Sequence, residues 1–161
     1  MSRQSGDRFE TFRGSALLRN LDEGEIEALD AICSEKRIDE GATVFVENMP
    51  GESLYMVREG TIKVSKMLAE GEERIIIILG PEDVFGEMAL LDGGARTATA
   101  RVIEAASLLV LKKEDFDALC ERNPALGIKL MRNIVQALSQ RIRENAQEYR
   151  HMLLLALGEE A

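Results

Sequence analysis

Apolar and polar positions follow a helical period near both ends of the chain and a strand-like period in the middle. Near the start, Asp22 can cap a helix, and Glu25 follows three residues later as in a capping box. This helical pattern ends near Ser34. Between Ser34 and a last strand over residues 107–112, glycines separate short β-branched segments at intervals of about ten residues, which is typical of a β-sandwich or barrel.

Two of these segments give specific predictions. Residues 61–65 alternate polar and apolar side chains, as a half-buried strand does. Residues 75–78 are four consecutive isoleucines, which predict a strand buried on both faces. Residues 58–61 and 70–72 are predicted to form hairpin turns.

The C-terminal third predicts one long helix. Asn123 caps it, Pro124 takes its first position, and no proline interrupts it before Leu157, which gives a helix of about 50 Å. Apolar side chains recur in heptad steps, with Asn145 as the one polar member; this seam comprises Ile128, Met131, Val135, Leu138, Ile142, Asn145, Tyr149, Met152 and Ala156. An exposed seam of this length predicts a parallel homodimer through this helix.

The domain boundaries follow from these patterns. We predict a flexible lead-in, a β domain with flanking helices, a dimerisation helix and a short tail, at residues 1–15, 16–122, 123–157 and 158–161.

Composition excludes several classes of function. The net charge of the 161 residues is -9, which disfavours direct binding to nucleic acid. One histidine and two cysteines are too few for an ordinary zinc or iron–sulfur site, and a metal-dependent β-barrel enzyme would need histidines clustered on strands. Without an apolar run of about 20 residues or a signal-like N-terminus, the sequence predicts no contact with a membrane, a cytoplasmic location, and buried free thiols at Cys33 and Cys120.

The segment over residues 85–102, FGEMALLDGGARTATARV, carries the chemistry. Gly86 allows close approach of the backbone, and the amides of Met88 and Ala89 open a short helix that favours an anion. Arg96 adds a permanently charged fork for a phosphate, and Thr97 adds a hydroxyl. Glu87 would repel a phosphate but would accept a hydrogen bond from a sugar hydroxyl, so the segment points to a ribose beside a phosphate.

This segment resembles the phosphate-binding cassette of the cyclic-nucleotide-binding domain family, whose pattern appears here as Phe85-Gly86-Glu87 and Arg96-Thr97-Ala98. The resemblance covers roughly residues 16–157. It implies an α+β fold, with an eight-stranded antiparallel β-roll of the jelly-roll type between N-terminal helices and a long C-terminal helix.

The resemblance also implies the roles of individual residues. Glu87 would bind the ribose 2′-hydroxyl and Arg96 the cyclic phosphate, while Gly86, Met88, Ala89 and Thr97 would add further contacts. The purine would lie against two strand positions and two positions of the long helix, namely Val64, Ile76, Arg141 and Ile142.

The function that follows is a non-enzymatic sensor that binds a cyclic nucleotide and signals through its long helix to an unidentified effector protein. In the family, a threonine directly after the cassette arginine, as Thr97 follows Arg96 here, occurs in members that bind cyclic AMP and is also associated with cyclic GMP. We favour cyclic AMP. Two departures from the family are visible: Ala95 replaces a frequent proline, and the chain stops at Ala161 without a helix-turn-helix. Two alternatives therefore stay open, namely a transcription regulator cut short and a dimeric module that has lost ligand binding.

Overall fold

A computed structural model describes residues 7–158, apart from the side chains of Asp7 and Glu70. Short 3-10 helices lie at residues 7–12, 16–18 and 69–71. The longer elements follow one another as α1 (Glu23–Ile32), β1 (Ser34–Ile38), β2 (Thr43–Phe45), β3 (Ser53–Met67), β4 (Glu73–Leu79), β5 (Val84–Phe85), α2 (Glu87–Asp92), β6 (Thr99–Lys112), α3 (Lys113–Arg122) and α4 (Pro124–Ala156).

All six strands of this range pair antiparallel, which confirms the predicted fold of an antiparallel sheet with flanking helices. The order is β1-β6-β3-β4, with β2 on β6 and β5 on β3. The expected count of eight strands is not reached. One reason is that β3 and β6 are long, with 15 and 14 residues, and pair with each other from Ser53–Lys112 to Ser65–Thr99.

The hairpin turn predicted at residues 58–61 is wrong, because these residues lie inside β3. The pairing register shifts around Gly60, which has φ +90°. A Cβ there would lie 2.4 Å from the carbonyl oxygen of Ala105. Gly60 therefore forms a bulge that bends a continuous strand. A glycine is required there because β6 approaches closely, and the chain does not reverse its direction. The turn predicted at 70–72 is confirmed, since the amide of Leu68 donates to the carbonyl of Glu72.

The apolar residues form two clusters on either side of the sheet. The helical cluster packs the helices on the sheet and includes the fully buried Phe9, Phe12, Leu29 and Phe116. The inner cluster lies between the strands and comprises Ile38, Val57, Ile62, Leu79, Phe85, Ala100, Val102, Ala106 and Leu108.

The N-terminal segment is helical over part of the predicted lead-in. Residues 1–6 of that lead-in lie outside the described residues. From Asp7 to Phe12 the chain forms a 3-10 helix, and Phe9 and Phe12 are buried in the cluster that packs the helices on the sheet. The capping box that begins α1 is confirmed: the amide of Glu25 donates to Asp22 and the amide of Asp22 donates to Glu25.

The four isoleucines of β4 are exposed, which corrects the prediction of a strand buried on both faces. Their exposed fractions range from 43% to 55%. The strand itself is confirmed, but it is an edge strand that pairs only with β3. A continuous apolar run indicates a buried strand only when the sheet is covered on both sides, and within the described residues nothing covers β4.

The long helix is confirmed at 33 residues, with the side chain of Asn123 accepting a hydrogen bond from the amide of Leu126. Its first half packs on the body of the domain through Leu126, Leu130 and Ile134. The heptad seam lies on a different face, and its apolar members other than Leu138 and Ala156 are at least 42% exposed.

Candidate functional site

Gly86 sets the geometry of the candidate site. It lies between β5 and α2 with φ +78°, in the left-handed region that glycine adopts without strain. A Cβ at this position would lie 2.8 Å from Nη1 of Arg96 and 3.0 Å from the carbonyl oxygen of Ser53. Gly86 therefore lets Glu87 begin α2 directly beside Arg96.

Arg96 is held by its backbone and by its side chain. Its amide donates to the Met49 carbonyl, and its own carbonyl accepts from the Asn48 amide, at 2.9 and 2.8 Å. Its guanidinium donates to the carbonyls of Ser53 and Gly86, at 2.9 and 3.2 Å. The group also lies over the ring of Phe45, with 4.2 Å between Cζ and the ring centroid.

The guanidinium of Arg96 is buried without a matching negative charge. The residue is 5% exposed, no carboxylate of the described residues forms an ion pair with it, and its Nε has no hydrogen-bond partner. Burial lowers the pKa of Arg96, although an arginine stays protonated in proteins. A buried cationic donor without an acceptor is costly, and an anion would supply the missing acceptor. The residues present thus fit a phosphate.

Glu87 pairs with a residue of α4. Its Oε1 accepts a hydrogen bond from Nη1 of Arg141 at 2.5 Å, and its side chain is 6% exposed against 47% for Arg141. Both residues line a cleft of about 250 Å³, together with Gly14, Ser15, Ala16, Leu17, Glu82, Asp83, Val84, Asn133, Ile134 and Ala137. Glu87 is therefore engaged by the long helix.

The structure brings four of the predicted site residues together, namely Gly86, Glu87, Arg96 and Arg141. Next to them in α2, Ala89 is buried and Met88 is 48% exposed. Thr97 follows Arg96 and is exposed.

The three predicted base-contacting residues other than Arg141 lie in different settings. Val64 is half-buried on β3 and packs against the inner cluster beside Phe45 and Tyr55. Ile76 is 54% exposed on β4, at a shift in the register with β3. Ile142 is 67% exposed on α4. None of the three contacts Arg96 or Glu87 through a described hydrogen bond or ion pair.

The residues that hold Arg96 are not among the predicted site residues. Phe45 stacks on the guanidinium, Ser53 accepts from it through its backbone, and a Cβ at Gly51 would lie 2.1 Å from its Nε. Gly51 carries no specific signal, because Pro50-Gly51 is a common turn dipeptide. The carbonyl of Ser53 has no sequence signature.

Two kinds of feature are absent from residues 7–158. No cluster of histidine, cysteine, aspartate or glutamate side chains there is arranged to hold a metal ion. No helix in that range combines the length and apolar character that a membrane span requires.

Fold and site together define a small-molecule-binding module, in which an antiparallel sheet presents a buried arginine and a nearby carboxylate beneath a long helix. Comparison with known proteins agrees with this class. The family model of the cyclic nucleotide-binding domain matches residues 35–123. The chain belongs to that family, as its cassette residues predict.

Individual relatives cover most of the chain. The cyclic AMP receptor protein of Thermus thermophilus is 33% identical over 82% of this chain and 59% of its own length. The crystal structure of the catabolite activator protein of Thermus thermophilus superposes with a TM-score of 0.78 at 33% identity, over 87% of this chain and 64% of that one. The regulatory domain of Toxoplasma gondii PKA, crystallised with cAMP, is 34% identical with a TM-score of 0.66, over 73% of this chain and 45% of that one.

The chain thus spans about three-fifths of the length of the Thermus relative. It is homologous over that length to a cyclic AMP receptor protein.

Proposed function

We propose that this protein binds a 3′,5′-cyclic nucleotide, with cyclic AMP favoured over cyclic GMP, and acts as a non-enzymatic sensor. The observation that carries the proposal is the buried guanidinium of Arg96, whose Nε lacks an acceptor and which forms no ion pair with a carboxylate of the described residues. The preference for cyclic AMP is supported by two relatives, the cyclic AMP receptor protein of Thermus thermophilus and the Toxoplasma gondii PKA regulatory domain crystallised with cAMP.

The cassette residues divide the recognition of the ligand. Arg96 binds the cyclic phosphate, and Glu87 accepts a hydrogen bond from the ribose 2′-hydroxyl. Gly86, Met88, Ala89 and Thr97 complete the contacts to the sugar-phosphate. Positions on β3, β4 and α4 enclose the base, namely Val64, Ile76, Arg141 and Ile142.

The output passes through α4 to an effector protein. The seam supports a homodimer, because a stripe of half-exposed apolar residues on a helix is costly in water and a second copy buries it in register. The acidic net charge supports an output that does not use direct contact with nucleic acid, and a cytoplasmic location fits a soluble regulator of this family.

A second candidate is the sensor part of a longer transcription regulator. The supporting observation is that the Thermus relative is a receptor protein of which this chain spans 59%. The reading frame in the genome distinguishes the two, since a continuation into a helix-turn-helix supports the longer regulator.

Calorimetric titration with cyclic AMP, cyclic GMP and 5′-AMP tests the proposed function. We expect the wild-type protein to bind a cyclic nucleotide and to reject 5′-AMP. Arg96→Ala should weaken binding by about 2–5 kcal/mol, the usual cost of breaking a desolvated charge pair on one side. Arg96→Lys should also bind poorly, because the fork is lost.

The matched control is Arg101→Ala, which removes an exposed arginine from β6 five residues further along. It should bind like the wild type. A folded wild-type protein that binds none of the three nucleotides would favour a module that has lost its ligand, and equal binding by Arg96→Ala would refute the assignment of the phosphate site.

A further inference from the structure

Three aromatic rings lie together beside the guanidinium of Arg96. The centroid of the Phe45 ring lies 5.9 Å from that of Tyr55 and 5.8 Å from that of Phe85. The rings of Tyr55 and Phe85 stack, with 5.2 Å between their centroids. Cζ of Arg96 lies 4.2 Å from the centroid of Phe45 and 5.6 Å from that of Tyr55. The guanidinium therefore rests on an aromatic surface, and Phe45 supplies its closest ring.

The aromatic surface is built on the sheet and does not depend on Arg96 for its position. Phe45 belongs to β2 and pairs with Ala100 of β6, while Tyr55 of β3 and Phe85 of β5 pair directly with each other. Phe85 is part of the inner cluster, and Phe45 and Tyr55 pack against that cluster. The rings thus form a fixed support for a long side chain that would otherwise sample many conformations.

The support attracts the cation without neutralising it. The face of an aromatic ring carries the negative part of its quadrupole, so it attracts a guanidinium that lies over it. Unlike a carboxylate, the ring has no net charge. The hydrogen-bond acceptors of this guanidinium among the described residues are neutral as well, since they are the backbone carbonyls of Ser53 and Gly86. The full charge of Arg96 therefore stays available to an anionic ligand.

We propose that Phe45 is a positioning residue, whose ring holds the charged guanidinium of Arg96 in the place where the phosphate of the ligand binds. The inference rests on the proposed function, because the phosphate of the cyclic nucleotide is the anion concerned. Phe45 acts through Arg96 and requires no contact with the ligand. A side chain that is ordered before the ligand arrives reduces the entropic cost of binding, so the ring increases affinity.

The experiment measures the affinity of Phe45→Leu for cyclic AMP and for its 2′-deoxy analogue by calorimetry. Leucine keeps an apolar side chain at the edge of the inner cluster but has no ring face. Because Arg96 is 5% exposed, its contact with the ring is largely desolvated, and we expect cyclic AMP to bind about tenfold more weakly. The 2′-deoxy analogue should lose the same factor, because it carries the same phosphate.

Two further variants show whether the ring is the cause. Phe45→Tyr keeps a ring over Arg96 and should restore wild-type affinity. Phe116→Leu is the matched control, because it removes a fully buried ring of α3 from the helical cluster. It should lower stability and leave affinity unchanged. Phe45→Met also lacks a ring and replaces Phe45→Leu in the series if the leucine variant does not fold.

Three results would overturn the positioning role. The first is wild-type affinity in a folded variant without the ring at residue 45. The second is an equal loss in Phe45→Tyr or in Phe116→Leu, which would trace the effect to general loosening of the fold. The third is a loss confined to cyclic AMP, which would trace the effect to the sugar and not to the phosphate.

Nuclear magnetic resonance of the nucleotide-free protein separates this inference from the proposed function. The ring current of Phe45 should shift the Nε proton of Arg96 upfield, and the signal is assigned by its loss in Arg96→Lys. The shift should persist in Phe45→Tyr and Phe116→Leu and disappear in Phe45→Leu; an ordinary position in the wild type would overturn the contact. A wild-type protein that binds no cyclic nucleotide would overturn the proposed function and the role toward the phosphate, whereas the spectra still decide whether Phe45 holds Arg96.

Discussion

Gly51 is the position at which the packing of Arg96 can be tested without changing Arg96. A Cβ at residue 51 would lie 2.1 Å from Nε, 2.6 Å from Cζ and 2.8 Å from Cδ of Arg96. All three distances are far inside van der Waals contact. In Gly51→Ala, Arg96 must therefore leave the position from which it donates to the carbonyls of Ser53 and Gly86.

The cost of this change follows from the contacts that Arg96 gives up. Overpacking a well-packed site costs about 1–3 kcal/mol. Each hydrogen bond from a charged group contributes about 1.5–3 kcal/mol, part of which returns when the displaced guanidinium reaches water. We therefore expect Gly51→Ala to lower the free energy of unfolding by about 2 kcal/mol.

Urea unfolding measures this loss, and Gly80→Ala is the matched control. A Cβ at Gly80 meets no atom within 4 Å, so this variant should stay within about 1 kcal/mol of the wild type. Repeating Gly51→Ala in an Arg96→Ala background should remove most of the penalty, because the atoms that clash are gone. Wild-type stability in Gly51→Ala would refute the packing argument, and an undiminished penalty in the Arg96→Ala background would place the clash elsewhere.

Three further predictions concern other parts of the molecule. Glu82→Gly should raise the free energy of unfolding by about 1 kcal/mol in a urea titration, because Glu82 has φ +80° in a turn that favours glycine, and a lower value would contradict the strain. Val135→Glu combined with Tyr149→Glu should make the protein sediment as a monomer, since like charges would face each other across the seam. Leu138 is not substituted, because it contacts the core. Sedimentation of the wild-type protein as a monomer at tens of micromolar would refute the dimer seam. Burial raises the pKa of the Cys33 thiol to about 12, so a thiol reagent at pH 8 should label it only in the unfolded protein, and rapid labelling of the native protein would show that the thiol is accessible.

Local patterns predicted those parts of the fold that depend on neighbouring residues. The capping box of α1 and the Asn123-Pro124 start of α4 were predictable because each is decided within four residues. The bulge at Gly60 was not, because it depends on β6, which is distant in sequence. The exposure of Ile75–Ile78 was not either, because it depends on what covers the faces of the sheet and not on the residues of the strand itself. A glycine at a strand bulge and a glycine in a turn look alike until the partner β6 is known.

The same distinction applies to the site. The cassette residues Gly86, Glu87 and Arg96 lie within eleven positions of one another, so one segment displayed them together. Phe45 and Ser53 hold Arg96 from 51 and 43 residues away in sequence. The backbone carbonyl of Ser53 acts through an atom that every residue has, which no sequence pattern can mark.

The two charged residues of the cassette are engaged by the protein in different ways. Arg96 donates to two backbone carbonyls and stacks on Phe45, yet its Nε has no hydrogen-bond partner. Glu87 has a full cationic partner in Arg141. A phosphate at Arg96 would therefore supply an acceptor to a donor that has none, whereas a hydroxyl at Glu87 would meet a carboxylate that already accepts one charged hydrogen bond.

This difference predicts an unequal division of the affinity between the phosphate and the sugar. Gaining a missing acceptor for a buried cation favours binding, so a phosphate at Arg96 should supply most of the affinity. A hydroxyl at Glu87 would add a hydrogen bond to a carboxylate that is already paired with Arg141, and it should contribute less. A ligand without the 2′-hydroxyl should accordingly lose less affinity than a ligand without the phosphate.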